Sequence, residues 1–325
     1  MTTDLIKEYG DVIHDASYIT DNKLDIISVS PKLDIALGGG VPEGSMFVMT
    51  GPEKIGKTVT ALTFCRNAQQ NSNRKIYYGN VENRLKPRDI KGIVGLSQER
   101  KDFQVISSGE GNILSAEDYL SIFDKIIHTQ QHTVSVVDSF SALSSEAELK
   151  GALTDRQVMN VQQTIAKFCR KVAPVLPINK STVVGITHLM ANVSAFRGKT
   201  KVEKSGNALK YQTDVKLYAT HSQPLMQNES QIGQTIHWKV ETSAIGPPGQ
   251  KVESHIKYGR GIWKEMELAD LMIDFGIAAK AGSWIKLPNG DKIQGTNKLA
   301  QYLENNPEEY LEFEKQVFET VGLER

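Results

Sequence analysis

The stretch Gly51-Pro52-Glu53-Lys54-Ile55-Gly56-Lys57-Thr58 follows directly on the apolar run SMFVMT and opens a helical pattern over residues 58–70. A strand, a glycine-bounded loop ending in Gly-Lys-Thr, and a helix in that order make a phosphate loop in its required context. Few features constrain a fold so tightly, because the loop must pass from a buried strand to a helix N-terminus. There its backbone N–H groups can wrap a polyphosphate and the helix dipole favours the negative charge. Lys57 can then reach the β- and γ-phosphates, and the Thr58 hydroxyl can ligate Mg²⁺. The expected nucleotide-binding set on this segment is Gly51, Pro52, Glu53, Lys54, Ile55, Gly56, Lys57, Thr58 and Val59.

The rest of the chain reads as α/β. Short apolar strands at 45–50, 75–80, 102–107, 133–139, 181–187 and 214–220 alternate with helical stretches that include 116–129 and 158–173. Such alternation predicts a mainly parallel, doubly wound sheet. Segments 234–240 and 252–259, separated by GPPGQ, predict a hairpin extending it. After Trp263 the pattern changes to a helix over 264–275, a hairpin turning at Asn289-Gly290, and helices containing 298–304 and 307–320. Leu5, Tyr9, Val12 and Ile13 give residues 4–13 the spacing of a short amphipathic helix. The expected division is an N-terminal arm, 1–25, a core, 26–262, and a small α+β C-terminal domain, 263–325.

Charge narrows the partners. With 38 basic and 38 acidic side chains the formal charge is zero, so nucleic-acid binding requires a local basic patch. One exists between Gly185 and Tyr211, where Arg197, Lys199, Lys201, Lys204 and Lys210 face a single acid, Glu203. Cys65 and Cys169 have no metal-ligand spacing and read as reduced buried thiols. The opening MTTDLIKEYG lacks the apolar segment of a signal peptide and no apolar run is long enough to span a bilayer. A cytoplasmic protein with no membrane partner is expected.

Two acids answer the phosphate loop. The run TVSVVDS ends at Asp138, placing a carboxylate at the carboxyl edge of a buried strand, where ligands gather in open α/β sheets. Alone, an aspartate there is more commonly a helix cap or turn former. Beside a phosphate loop it is the expected holder of the Mg²⁺ water shell. The strand 75–80 runs into Val81-Glu82, and position alone leaves Glu82 open between a water-activating base and an ordinary surface glutamate.

These residues, with SPKLDIALGGGVPEG, YYGNVEN, VVDSFSALSSEAELKG, GITH, SGNALKY, IKYGRGI and AGSWIKLPNGDKIQG, resemble the RecA family of recombination ATPases, including its phage UvsX branch. The resemblance implies a RecA core with a small C-terminal domain, ATP and Mg²⁺ as ligands, and Glu82, Lys57 and His188 as catalytic residues, His188 sensing the γ-phosphate. Asp138 and Tyr258 join the nucleotide set, and Thr58 and Asp138 are the metal residues. It implies a DNA loop over roughly 190–205, with Phe196, Arg197, Lys199, Lys201 and Lys204, re-entering the fold at Gly206 and Asn207. A first DNA loop over 150–157 carries Arg156, with Arg170 and Lys171 on the following helix. UvsX-like sequences carry histidine where RecA has glutamine, so His188 points to the phage branch and a bacterial host cytoplasm.

The implied function is ATP-dependent assembly of a helical filament on single-stranded DNA, pairing with duplex DNA, and strand exchange. Loader and single-strand-binding proteins are the expected further partners. The chain departs from the family in having Glu241-Thr242-Ser243 where a basic pair reaches the neighbouring subunit's ATP, and Asp89 at the adenine-stacking place. A hexameric DNA motor would share the phosphate loop, Glu82 and Asp138. A DNA-coating ATP switch with weak hydrolysis would account for the missing basic pair.

Overall fold

Apolar runs that cannot alternate between core and solvent belong in the middle of a sheet covered on both faces. In the computed structural model they do so; it describes residues 9–324 apart from 11, 22, 153–160, 192–200, 204–206 and 228. A small antiparallel pair, β1 (Ile26–Ile27) and β2 (Val41–Pro42), precedes the main sheet. The main sheet contains β3 (Met46–Gly51), β4 (Lys75–Asn80), β5 (Phe103–Ile106), β6 (Thr133–Asp138), β7 (Thr182–Ala191), β8 (Lys201–Glu203), β9 (Val215–Gln227), β10 (Ser230–Thr242), β11 (Lys251–Lys257) and β12 (Gly261–Ile262). Its order is β12-β11-β10-β9-β3-β7-β6-β4-β5, with β8 paired to β7.

From β9 through β5 the neighbours are parallel, so their carboxyl ends emerge at one edge. Register places Gly51 opposite His188, and Asn80 opposite Asp138. The strands β9, β10, β11 and β12 pair antiparallel and extend the sheet, as the hairpin pattern implies.

Helices α1 (Pro31–Leu37), α2 (Lys57–Ser72), α3 (Ala116–Thr129) and α4 (Val161–Val172) cover the sheet. One core joins Phe47, Met49, Phe64 and Val136; the other joins Val48, Phe123, Val137 and Phe168. Gly79 has a local reason: a Cβ there would stand 2.9 Å from Phe123 Cε2, so its absence lets α3 approach β4. The Ser115 hydroxyl accepts from Asp118 N, and the Asp118 carboxylate accepts from Ser115 N, which starts α3 at the residue its sequence predicts. Cys65 and Cys169 are free and buried.

The C-terminal part has its own core, including Leu268, Met272, Ile285, Leu299, Phe313 and Phe318. Helices α5 (Lys264–Asp274), α6 (Thr296–Asn305) and α7 (Pro307–Thr320) surround a three-stranded sheet of β13 (Ala279–Ala281), β14 (Trp284–Lys286) and β15 (Lys292–Gln294). Helix α5 fastens this part to the core: Lys32 Nζ bonds Asp270 Oδ2 at 2.6 Å, and Glu267 accepts from Lys32 N and the Ser254 hydroxyl.

Four differences from the sequence reading have physical causes. Strand β7 does not stop at the polar pair Thr187-His188 but continues to Ala191, because β8 supplies antiparallel partners for residues 189–191. Strand β9 continues past Thr220 to Gln227, paired with β10 although its outer half is exposed. Helix α1 lies within SPKLDIAL, started by Pro31 and ended by Gly38 at φ +83°. Its Asp34 carboxylate is buried against the Ser28 hydroxyl and Val29 N. The C-terminal hairpin acquires a third strand from Ala279–Ala281. The helix expected over 4–13 lies largely outside the described residues, as do the first residues of the helix expected from 158. Among the described residues no helix is long and apolar enough to cross a membrane.

Candidate nucleotide-binding and catalytic site

Parallel strand ends bring the site together from four separate sequence regions. After β3 the chain turns through the phosphate loop into α2, with Lys54 at φ +59° and Gly56 at φ +108°. Gly56 is required twice over: its φ is left-handed, and a Cβ would stand 2.6 Å from Ile256 and 2.7 Å from Ile236. The antiparallel extension supports the loop directly, since the Gln234 side-chain amide donates to the Ile55 carbonyl at 3.1 Å. Gly51 has no room either, with Ala219 of β9 2.8 Å from the place of a Cβ.

The Lys57 ammonium is buried and donates to the Gly51 and Pro52 carbonyls at 2.8 and 2.6 Å. Burial pushes its pKa down to about 8, against the opposing pull of Asp138, Glu82 and Glu53. The Thr58 hydroxyl donates to Asp138 Oδ2 at 2.9 Å, and the buried Tyr78 hydroxyl donates to the same oxygen at 2.6 Å. Burial raises the Asp138 pKa, while the bonds from Tyr78 and Thr58 hold it back. Tyr78 is thus a polar member of the site inside the apolar run KIYYGN. Nothing in that run separates it from Tyr77, which bonds Gln130.

Glu82 lies past the end of β4 and is held on three sides. His188 Nε2 and the Ser139 hydroxyl stand 2.8 and 2.9 Å from Oε1, and the Arg84 guanidinium 3.3 Å from Oε2. The His188 bond leads in lowering the Glu82 pKa to about 2, with Ser139 and Arg84 assisting against partial burial. His188 is steadied in turn by the Ser141 hydroxyl, which accepts from its backbone N at 2.8 Å. Ser139 and Ser141 follow Asp138 in VVDSFSALSS, where the sequence shows only small polar residues.

These groups face a cleft of about 280 Å³ lined by Glu53, Lys54, Thr58, Val59, Asn80, Glu82, Arg84, Leu85, Asp89, Asp138 and His188. A larger opening, about 950 Å³, lies between Lys32, His237 and Asp274 and shares no residue with it. The smaller cleft is the one the phosphate loop and both acids border, so chemistry rather than size identifies the site. Among the described residues no group of three or more His, Cys, Asp and Glu could hold a metal unaided. Thr58 and Asp138 bring two side-chain oxygens together beside the phosphate loop, a donor set that fits Mg²⁺ when phosphate and water complete its shell.

Other expected residues lie apart or outside. Tyr258 is 57 % exposed beyond β11, bonded through its hydroxyl to Gln231, and does not line the cleft. Arg170 is exposed near the far end of α4, roughly 14 Å along the helix from Val161 at 1.5 Å per residue. Lys171 pairs with Asp124. Arg156, Phe196, Arg197, Lys199, Lys204 and Gly206 lie outside the described residues. Lys201 falls on β8 rather than in a loop, and Asn207 begins a helix over Asn207–Gln212. In the Glu241-Thr242-Ser243 segment, Glu241 pairs with Lys216 at 3.2 Å and the Ser243 hydroxyl donates to the Leu37 carbonyl at 2.9 Å. Asp89 lines the cleft and accepts from Lys86 N.

A phosphate loop on a central parallel strand, with acids at two neighbouring strand ends and a polar residue at a third, defines a P-loop ATPase with a RecA-like core. The RecA N-terminal domain family matches residues 6–263. Protein RecA of Nocardioides sp. is 30 % identical over 302 residues, covering 92 % of this chain and 84 % of the relative. Protein RecA of Streptomyces venezuelae is 29 % identical over 306 residues, covering 94 % and 79 %. The chain belongs to the RecA family. It is a DNA-dependent ATPase of recombination and repair, and the hexameric-motor and coating-switch alternatives are not favoured.

Proposed function

We propose that the chain forms a helical filament on single-stranded DNA, pairs it with homologous duplex and exchanges strands, and that the cleft between the phosphate loop and Glu82 binds and hydrolyses the ATP that controls assembly. The observation that carries this reading is the path of β7. It bears His188 against Glu82 and continues without a break to Ala191, at the start of the basic segment, which β8 closes. A change at the cleft therefore has one rigid strand through which to reach a DNA-binding loop. Arg156 belongs to the proposed first loop, and Phe196, Arg197, Lys199, Lys201, Lys204, Gly206 and Asn207 to the second. Their contacts to phosphate give affinity without sequence preference. Arg170 and Lys171, on the helix after the first loop, belong to the same proposal.

Within the cleft, Lys57 and the loop N–H groups bind phosphate, and Thr58 and Asp138 hold Mg²⁺. The ion, when bound, neutralises charge on the phosphates. Glu82 orients and activates water, and His188 couples its state to β7. Histidine at this place favours the UvsX-like phage branch. Burial holds the Lys57 pKa down at about 8, and the negative charge of bound phosphate favours the charged form and raises it. ATP affinity should fall as pH rises through about 8, by up to roughly tenfold per unit, with proton uptake on binding. Calorimetry in buffers of different ionisation enthalpy counts that proton. Constant affinity with no uptake between about pH 7 and 9.5 would remove the role from Lys57.

The division into arm, 1–25, core, 26–262, and C-terminal domain, 263–325, belongs to the same proposal. Support for an arm comes from apolar side chains left in solvent: Val12 and Ile19 are each 72 % exposed, and Tyr9, Ile13, Tyr18 and Leu24 are also exposed. So dense an exposed apolar segment fits docking on a neighbouring protomer. Electron microscopy with ATP and single-stranded DNA tests the whole reading. The intact chain should form helical filaments, and a chain lacking residues 1–21 should remain a soluble monomer. Normal filaments from the truncated chain would refute the arm, and no filaments from the intact chain would refute the function.

A further inference from the structure

The cleft contains a cation that the phosphate loop does not supply. Arg84 follows Glu82 by two residues, on a turn held by the Asn80 carboxamide oxygen, which accepts from Arg84 N and Leu85 N at 3.1 Å each. The side chain is 77 % exposed and reaches back to place its guanidinium 3.3 Å from Glu82 Oε2. It borders the same cleft as Lys54, Thr58, Asp138 and His188. Glu53, Glu82, Asp89 and Asp138 bring four carboxylates to that space, against Lys54 and Arg84 on its lining and the buried Lys57 beside it. A polyphosphate adds several further negative charges, and Mg²⁺ offsets only part of them. Neutralisation by a neighbouring subunit finds no basic pair at Glu241-Thr242-Ser243, where Glu241 is instead paired with Lys216.

We propose that Arg84 binds the terminal phosphate of ATP from within the same subunit, leaving Glu82 for the phosphate oxygens when nucleotide enters. A guanidinium is always charged, and its planar fork suits two oxygens of a phosphate as well as it suits a carboxylate. The exchange replaces one anionic partner with a more highly charged one. It also frees Glu82 Oε2, the oxygen not bonded to His188, to hold water. Arg84 thus performs in cis the neutralising work that the Glu241-Thr242-Ser243 segment does not perform in trans. The proposal rests on the reading of this cleft as the ATP site.

The test compares equilibrium binding of a non-hydrolysable ATP analogue and of ADP to the wild-type chain, Arg84→Ala and Arg84→Lys, without DNA and at two protein concentrations tenfold apart. Arg84→Ala should lose about ten- to hundredfold in affinity for the analogue, the effect of one charge-assisted contact. Its affinity for ADP should change less than about threefold, and Arg84→Lys should recover part of the loss. The loss should be the same at both concentrations. An unchanged analogue affinity, an equal loss for ADP, or a loss that appears only at the higher concentration would overturn the proposal. Failure of the wild-type chain to bind either nucleotide would instead overturn the reading of the cleft, and this inference with it. Because the side chain is exposed, circular dichroism of both variants should match the wild type.

Discussion

Glu82→Gln should bind ATP as tightly as the wild-type chain and lose DNA-stimulated turnover by about 10²- to 10⁴-fold, the usual weight of a general base. The substitution keeps the shape of the side chain and an oxygen able to accept from Ser139 or His188, which now stand 2.9 and 2.8 Å from Oε1. What it removes is the negative charge and the capacity to take a proton. The carboxylate is a weak base while His188 holds it, with its pKa lowered to about 2. It becomes a stronger one only if entering nucleotide draws His188 or Arg84 away. Turnover and nucleotide binding measured on the same preparation separate the two effects. Wild-type turnover in Glu82→Gln would strip the residue of its role.

The parts of this site that the sequence makes legible are those whose backbone context is itself a constraint. A glycine-bounded loop between strand and helix, and an acid ending an apolar run, are recognisable because strand, loop and helix follow one another directly in the sequence. Tyr78, Ser139 and Ser141 are not legible, because each acts through a partner distant in sequence, and Arg84 is not, because its place depends on the cleft it borders rather than on its neighbour Glu82. Tyr78 counts as one more apolar residue in KIYYGN until its hydroxyl is found on Asp138. The polarity change at Thr187-His188 marks where β7 leaves the core, but not where it ends. Its end depends on pairing with β8, more than ten residues later. The outer half of β9, Thr220–Gln227, has no apolar alternation because neither face is covered, so only its register with β10 reveals it.

Changing Arg197, Lys199 and Lys201 together to alanine should weaken single-strand binding and make it less sensitive to salt, while ATP binding persists. Each cation that neutralises a phosphate releases condensed counterion, so the slope of log affinity against log salt should fall by roughly 0.7 per contact, or about 2 for three. The loss is therefore largest at low salt, where counterion release contributes most. His188→Ala should behave differently. Its side chain lies at Glu82, three residues before the end of β7 at Ala191, so DNA contacts remain while the link to the cleft is cut. The gain in DNA affinity from an ATP analogue over ADP should shrink toward none, with the salt slope retained, because coupling free energy and contact energy are separate quantities. Titrating each variant over salt with each nucleotide measures both. An unchanged slope in the triple variant would mean that these residues do not touch DNA phosphates. An undiminished nucleotide effect in His188→Ala would mean that β7 is not the strand that carries the signal.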